Sequence, residues 1–153
     1  MERATVGIIS DAHGTLYPLA LRALAGVDAI IHAGDIEESG HLAALKAIAP
    51  VTAVRGNMDR DKALRRLPNS AMVDIGGAVF YVLHILGDLD LDPAAAGFQA
   101  VVFGHTHRPM IEQRKGVWFL NPGSATLPRG GSGHSVMRVR VSDGALDVQL
   151  IEL

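Results

Sequence analysis

The apolar runs of this chain are short, and five of them stop at side chains able to bind a cation. Thr5 to Ser10 runs into Asp11-Ala12-His13-Gly14, Ala29 to Ala33 into Gly34-Asp35, and Val51 to Val54 into Arg55-Gly56-Asn57-Met58-Asp59. Ala78 to Leu83 runs into His84, and Ala100 to Phe103 into Gly104-His105-Thr106-His107. Short runs of apolar and β-branched residues, closed by glycine or a polar loop, read as buried strands. The chain is therefore a set of strands whose ends carry the chemistry.

Between the early strands lie two helical patterns. One spans Tyr17 to Ala25 with Leu16, Leu19, Ala20 and Leu24 on its inner face. The other spans His41 to Ala49 with Leu42, Leu45, Ile48 and Ala49 inward, and Pro50 stops it. Arg60 to Arg66 reads as one or two helical turns before Pro68. The second half changes character. Ala71 to Ile75, Gly76-Gly77 and Ala78 to Leu83 read as a hairpin with a two-glycine turn. Asp88 to Asp92 is an acidic loop, with a short helix around Pro93 to Ala96. Met110 to Arg114 and Val117 to Leu120 flank a Lys115-Gly116 turn, Pro128 to Gly133 is a glycine-rich loop, and Ser135 to Val141 pairs with Leu146 to Ile151 across Asp143-Gly144. Strand–helix alternation favours parallel pairing and hairpins favour antiparallel pairing. Both in one chain predict an α/β sandwich around mixed sheet. A chain of 153 residues suits one domain, taken as 1–153.

Composition removes several classes of function. There is no cysteine, which excludes disulfides, thiolate catalysis and sulfur-ligated metal sites. A net charge of −2 supplies no overall field for nucleic acid. No apolar segment approaches the ~20 residues that span a bilayer. No leader is visible in the sequence, and the expected compartment is the cytoplasm with no membrane partner.

In open α/β sheets ligands gather beyond the carboxyl ends of the strands. The five strand ends would bring Asp11, His13, Asp35, Asn57, His84, His105 and His107 to one rim. In an extended loop, residues i and i+2 point the same way, so His105 and His107 can face one point. Taken singly, each Asp or Asn also fits a turn or a helix cap. Together they form a set of carboxylate, amide and imidazole donors. That set is too large for one tetrahedral ion, and it suits two ions ~3.5–4 Å apart sharing a carboxylate. Asp35 is the natural bridge.

The motif series Asp-x-His, Gly-Asp, Gly-Asn-x-Asp, a lone His after a strand, and Gly-His-x-His resembles the calcineurin-like metallophosphoesterase superfamily. Chain length, the Asn121-Pro122-Gly123-Ser124 segment and Pro128-Arg129-Gly130-Gly131 are similar to its small YfcE/Vps29-type phosphodiesterase branch. The resemblance implies a four-layer αββα sandwich with two mixed β-sheets. It implies one ion on Asp11, His13, Asp35 and His107, and a second on Asp35, Asn57, His84 and His105. It further implies a dinuclear metal-dependent phosphoric ester hydrolase, attacking phosphorus with a metal-bridging hydroxide. Manganese is the first choice of cation, with iron, nickel and zinc as alternatives. The catalytic assignments are Asp35, Asn57, Asp59 and His105.

Two positions depart from the family pattern. Met58 stands where strong relatives carry a histidine. That removes a general acid worth ~10²–10⁴-fold and favours diesters with good leaving groups over monoesters. The usual His-Gly-His becomes His84-Ile85-Leu86, which predicts a more apolar rim beside the second ion. Asp59 either orients a neighbouring ligand, such as His84, or a water, or caps a helix before Arg60. Arg108 can reach phosphate, but a solvated surface position is the simpler reading. Of the remaining histidines, His32 reads as a satisfied core residue, His41 as a surface residue at a helix start, and His134 as a loop residue. Trp118 packs, and Asp88, Asp90 and Asp92 form a solvated acidic loop or a cap.

Two other functions compete with the small-substrate hydrolase. A catalytically weak, Vps29-like scaffold would recruit a protein through the surface near Ile85 and Leu86. A nuclease would use Arg55, Arg60, Lys62, Arg65 and Arg66 as a basic track. A homo-oligomer is the base expectation for assembly.

Overall fold

The computed structural model describes residues 2–14, 18–126 and 133–153. Among the described residues, ten strands form two five-stranded sheets. The first holds β1 (Arg3–Ile9), β2 (Ala29–His32), β3 (Val51–Ala53), β9 (Ser135–Ser142) and β10 (Ala145–Glu152), in the order β10-β9-β1-β2-β3. The second holds β4 (Ser70–Ile75), β5 (Ala78–Leu83), β6 (Ala100–Val102), β7 (Met110–Arg114) and β8 (Val117–Asn121), in the order β4-β5-β6-β8-β7. Both sheets are mixed, as the alternation and the hairpins require. β1, β2 and β3 run parallel, and β9 and β10 add antiparallel. In the other sheet β5, β6 and β8 run parallel, flanked by antiparallel β4 and β7.

Local chemistry sets the hairpins. Ile75 pairs with Ala78 across Gly76 and Gly77, whose φ values are 62° and 86°. A two-residue turn with both central residues in the left-handed region matches the twist of its strands, and glycine adopts it without a Cβ penalty. Period-two alternation orients β9: Met137, Val139 and Val141 are buried, while Arg140 and Ser142 between and after them are exposed.

The main core lies between the sheets. Val6, Ile8, Ile31 and Val139 from the first meet Phe80, Val82, Val102 and Leu120 from the second. Trp118 packs at its margin, as expected. The helices α1 (Pro18–Ala23) and α2 (Ser39–Lys46) cover the outer face of the first sheet, with Ala20, Leu24 and Leu45 buried against Ile9 and Ile30. Leu19 is not part of this face and stands 53% exposed. The expected helix start at Leu16 and Tyr17 lies outside the described residues, as does nearly all of the 128–133 loop.

The outer face of the second sheet is covered more thinly. Val101, Phe103, Val117 and Phe119 are sealed by Leu86 and Leu89 around a 3-10 turn at Leu86–Asp88. The helix expected near Pro93 is a closed turn, where Asp92 accepts from the N–H groups of Ala94 (3.1 Å) and Ala95 (3.3 Å). Arg60 to Arg66 contains a single 3-10 turn at Leu64–Arg66. Among the described residues no helix is long and apolar enough to cross a membrane.

Candidate metal centre

The five strand ends do meet, but the rim is a composite. Asp11, Asp35 and Asn57 follow β1, β2 and β3 of the first sheet, while His84 and the His105–His107 loop follow β5 and β6 of the second. The loops after β1 and β2 are fastened together: the N–H of Asp11 donates to Gly34 O, that of His13 to Asp35 O, and that of Gly14 to Ile36 O, at 3.0, 3.0 and 3.2 Å.

Asp11 is fully buried, and its two oxygens have different surroundings. Oδ2 accepts from Ser10 Oγ (2.7 Å) and from the backbone N–H of His105 (3.0 Å). Oδ1 is buried and has no hydrogen-bond partner among the described residues. Three imidazole nitrogens surround it: Nε2 of His107 at 3.4 Å, of His13 at 3.7 Å and of His84 at 3.9 Å. These separations are too long for hydrogen bonds. They resemble the roughly 3–4 Å between donors that share one cation at ~2.1 Å. A buried carboxylate oxygen without a donor is costly, and a cation at this point removes the cost. His13 Nε2 and His107 Nε2 stand 2.9 Å apart. Donor atoms of Asp11, His13, Asp35 and His107 all lie within 4.8 Å of one another. The residues therefore fit a divalent ion.

Asp35 joins this group to a second one. Its Oδ1 accepts the N–H of Met58 at 2.8 Å, so a single oxygen faces the cage. That oxygen, Oδ2, lies 3.7 Å from His13 Nε2 and 3.3 Å from His84 Nε2. On the far side, Asn57 Oδ1 is 2.9 Å from His84 Nε2 and 3.3 Å from His105 Nδ1. The two histidines of the Gly-His-x-His segment thus do not face one point. His107 is buried beside His13, and His105 is exposed beside Asn57. The reason is backbone: the loop is not extended, since His105 and His107 have φ of 72° and 60°.

The same left-handed conformation recurs at Asp11 (53°), His13 (45°), Asp35 (57°) and Glu37 (64°). Such conformations are unfavourable for residues with a Cβ and cluster where surrounding structure enforces them. The enforcing groups are visible. Asp59, fully buried, accepts four backbone N–H groups: Ile36 and Glu37 on Oδ1, both at 2.8 Å, with Asp35 (3.0 Å) and Gly56 (2.8 Å) on Oδ2. Asp59 orients a candidate ligand, but that ligand is Asp35 and not His84, and the bond of Asp59 to the Gly56 N–H closes the turn before Arg60 although the next helical turn begins only at Leu64. It is a clamp on the Asp35 loop. His84 is oriented by Ala33 O, 2.7 Å from Nδ1, which leaves the Nε2 lone pair toward the cage.

Glycine permits the close approach of these loops. A Cβ at Gly56 would overlap Asp35 N and Oδ1, and one at Gly104 would overlap Ser10 Oγ. Other supports were not identified from sequence. Ser124 Oγ donates to Asp11 O at 2.8 Å, and Asn121 Nδ2 donates to Gly104 O at 3.2 Å and to Thr106 Oγ1 at 3.1 Å. Their signal was the Asn-Pro-Gly-Ser segment itself, a polar turn directly after an apolar strand.

Electrostatics follow the geometry. Asp11 beside His13 raises the imidazole pKa despite partial burial, with Asp35 and Glu37 adding to it. Burial pushes the pKa of His84 down, but Asp35 outweighs it and the net shift is upward. Burial likewise works against the Asp35 carboxylate, and His84, the Met58 N–H and His13 together hold it below the usual range. The raised affinity of His13 and His84 for protons sets protons in competition with a cation for these nitrogens, as expected of metal ligands.

A groove of about 570 Å³ opens beside Asn57 and His84, lined also by Arg55, Tyr81, Asp88 and Asp90. Ile85 contributes to it, so the rim is mixed rather than apolar. Leu86 turns away into the cluster under the second sheet. Arg108 is exposed. His32 is a core residue that accepts the Gly34 N–H at 3.1 Å, and burial holds its pKa down to about 4. His41 is half-buried rather than on the surface.

The chain as a whole is similar to known proteins. Residues 5–144 match the calcineurin-like phosphoesterase superfamily domain. A probable metallophosphoesterase of Methanocaldococcus jannaschii is 34% identical over 165 residues, covering 97% of this chain and 81% of the relative. The phosphodiesterase YfcE of Escherichia coli K12 is 32% identical over 148 residues, covering 80% of each. The structure of vacuolar protein sorting 29 from Cryptosporidium parvum superposes with a TM-score of 0.77 at 22% identity, covering 100% of this chain and 99% of that one. The last likeness speaks for the fold alone.

Proposed function

Because the chain belongs to the calcineurin-like phosphoesterase superfamily, we propose that it is a phosphodiesterase that works with two divalent cations on small phosphate diesters. The observation that carries this reading is the unpartnered, buried Asp11 Oδ1 ringed by three imidazole nitrogens, linked through Asp35 Oδ2 to a second donor set. Asp11, His13, Asp35 and His107 would hold one ion, and Asp35, Asn57, His84 and His105 the other. Divalent cations in such a pair polarise phosphoryl oxygens and lower the pKa of water toward neutrality.

The chain's own residues supply the rest. Asp59 and Gly56 lock the Asp35 loop, so Oδ2 is presented without reorganisation. The neutral Asn57 amide adds no negative charge at the second position, which keeps that side electrophilic. The groove beside Asn57 and His84 accommodates one arm of a diester. Met58 offers no proton for a departing alkoxide, so diesters with stable leaving groups, such as aryl phosphodiesters, are the better substrates.

Two features favour a small substrate over a long nucleic acid. Asp88 and Asp90 line the groove with Arg55 and would repel a run of phosphates. Arg60, Lys62, Arg65 and Arg66 are exposed but are not among its lining residues. The scaffold reading is weakened because Leu86 packs inward. The test is hydrolysis of an aryl phosphodiester with added manganese, run beside Asp35→Ala, with metal content measured on both. Metal-dependent turnover in the wild type and background in the variant are expected. Equal background rates in both proteins would remove the enzyme reading.

A further inference from the structure

His13 and His84 both present Nε2 to the cage, and each is approached at Nδ1 by a different kind of group. Behind His84 stands the neutral carbonyl of Ala33, 2.7 Å away. Behind His13 stands the carboxylate of Glu37, with Oε2 3.3 Å from Nδ1. The Glu37 backbone is tightly specified. It adopts φ 64°, its N–H is held by Asp59 Oδ1 at 2.8 Å, and the neighbouring Ile36 carbonyl accepts the Gly14 N–H at 3.2 Å. The loop bearing His13 and the loop bearing Glu37 are thus pinned side by side.

This difference has a chemical consequence. A carboxylate behind an imidazole draws on the Nδ1 proton, keeps the lone pair on Nε2 and makes that nitrogen a stronger donor. A neutral carbonyl fixes the same tautomer with less polarisation. Charge is unequal as well. Asp35 and Asp11 lie near both histidines, at 3.7 Å each from His13 Nε2 and at 3.3 and 3.9 Å from His84 Nε2, so Glu37 is the charge that the His84 side lacks; its other neighbours are the neutral Asn57 and the exposed His105.

Resting on the two-cation reading above, we propose that Glu37 is the positioning residue that makes the two positions unequal. The His13 position fills first and tightly, and the His84 position fills second and loosely. Glu37 touches neither substrate nor the reacting atoms in this scheme; it acts through His13.

The experiment is calorimetric titration of the metal-free full chain with manganese, for wild type, Glu37→Gln and Glu37→Ala. Urea unfolding in chelator is followed in parallel. Wild type is expected to bind in two resolved steps. The first step should weaken roughly 10-fold in Glu37→Gln and towards 100-fold in Glu37→Ala, with the second step unchanged and the Glu37→Gln urea midpoint in chelator equal to that of wild type. A first step within twofold of wild type in both variants overturns the proposal. So does a parallel fall in both steps, or a lowered Glu37→Gln midpoint, because either marks a merely structural residue. Wild type that takes up no manganese overturns the cage itself and this proposal with it, whereas two unequal steps that ignore Glu37 overturn this proposal alone.

Discussion

Replacing Asp59 by asparagine changes one atom and tests the whole support of the centre. The carboxylate accepts four backbone N–H groups, from Asp35, Ile36, Glu37 and Gly56, at 2.8–3.0 Å. In Asp59→Asn one oxygen can still serve Ile36 and Glu37. The new NH₂ group then faces the Asp35 and Gly56 N–H groups, donor against donor. Each buried N–H left unpaired costs about 1–3 kcal/mol, and the surviving bonds lose their charge assistance. Relief from burying a full charge offsets part of this. The net expectation is a loss of about 3–5 kcal/mol, large against the roughly 5–15 kcal/mol that holds a typical domain together. Urea unfolding in chelator measures it without interference from metal. Manganese affinity should fall as well, because Asp35 loses its backbone restraint. Asp61→Asn is the control: Asp61 is exposed and its side chain accepts the Ala63 N–H in its own turn, at 2.9 Å, so its change should stay within about 0.5 kcal/mol. If Asp59→Asn unfolds within 1 kcal/mol (about one weak hydrogen bond) of wild type, the clamp reasoning is wrong. A loss of metal at the His84 side with stability intact would instead give Asp59 an orienting role toward His84.

Two further outcomes are expected. His32 is buried with its pKa held at about 4, against 6.5 for the free side chain. The unfolded chain therefore binds a proton that the native state refuses between those values. The stability tied to the neutral imidazole is fully present above pH 6.5 and is lost as pH falls toward 4, about 3 kcal/mol in all. His32→Gln keeps an acceptor for the Gly34 N–H, so its stability in chelator should fall less steeply over that window; parallel slopes for the two proteins would refute the assignment. Gly104→Ala should displace Ser10 and Asp11, because the added Cβ meets Ser10 Oγ and Asp11 Oδ2. The expected result is a folded protein with manganese affinity reduced at the first step, and unchanged affinity would show that the loop can yield.

Much of this molecule was legible without coordinates because its determinants are local. β-branched and apolar runs closed by glycine or a polar residue gave β2, β5 and β6 nearly to the residue, and Gly76-Gly77 gave the hairpin turn. The donor types were legible for the same reason: carboxylate, amide and imidazole at strand ends limit the chemistry whatever the fold. Helical signals were weaker. Leu19 fits an apolar helical stripe yet faces solvent, since a six-residue helix rests on only part of its own pattern.

The sequence by itself determined which atoms could meet a cation and that they would come from strand ends. The grouping of those atoms came from the family resemblance, and spacing alone, which pointed His105 and His107 at one spot, gave it wrongly. That His107 sits with His13 while His105 sits with Asn57 follows from left-handed backbone at both residues, which no neighbour in sequence requires. The clamp of Asp59 on a loop more than twenty residues earlier and the placing of Glu37 behind His13 have the same origin. A strained φ persists only where many distant contacts outweigh its cost, and that sum exists only once two sheets have packed and brought their carboxyl ends together.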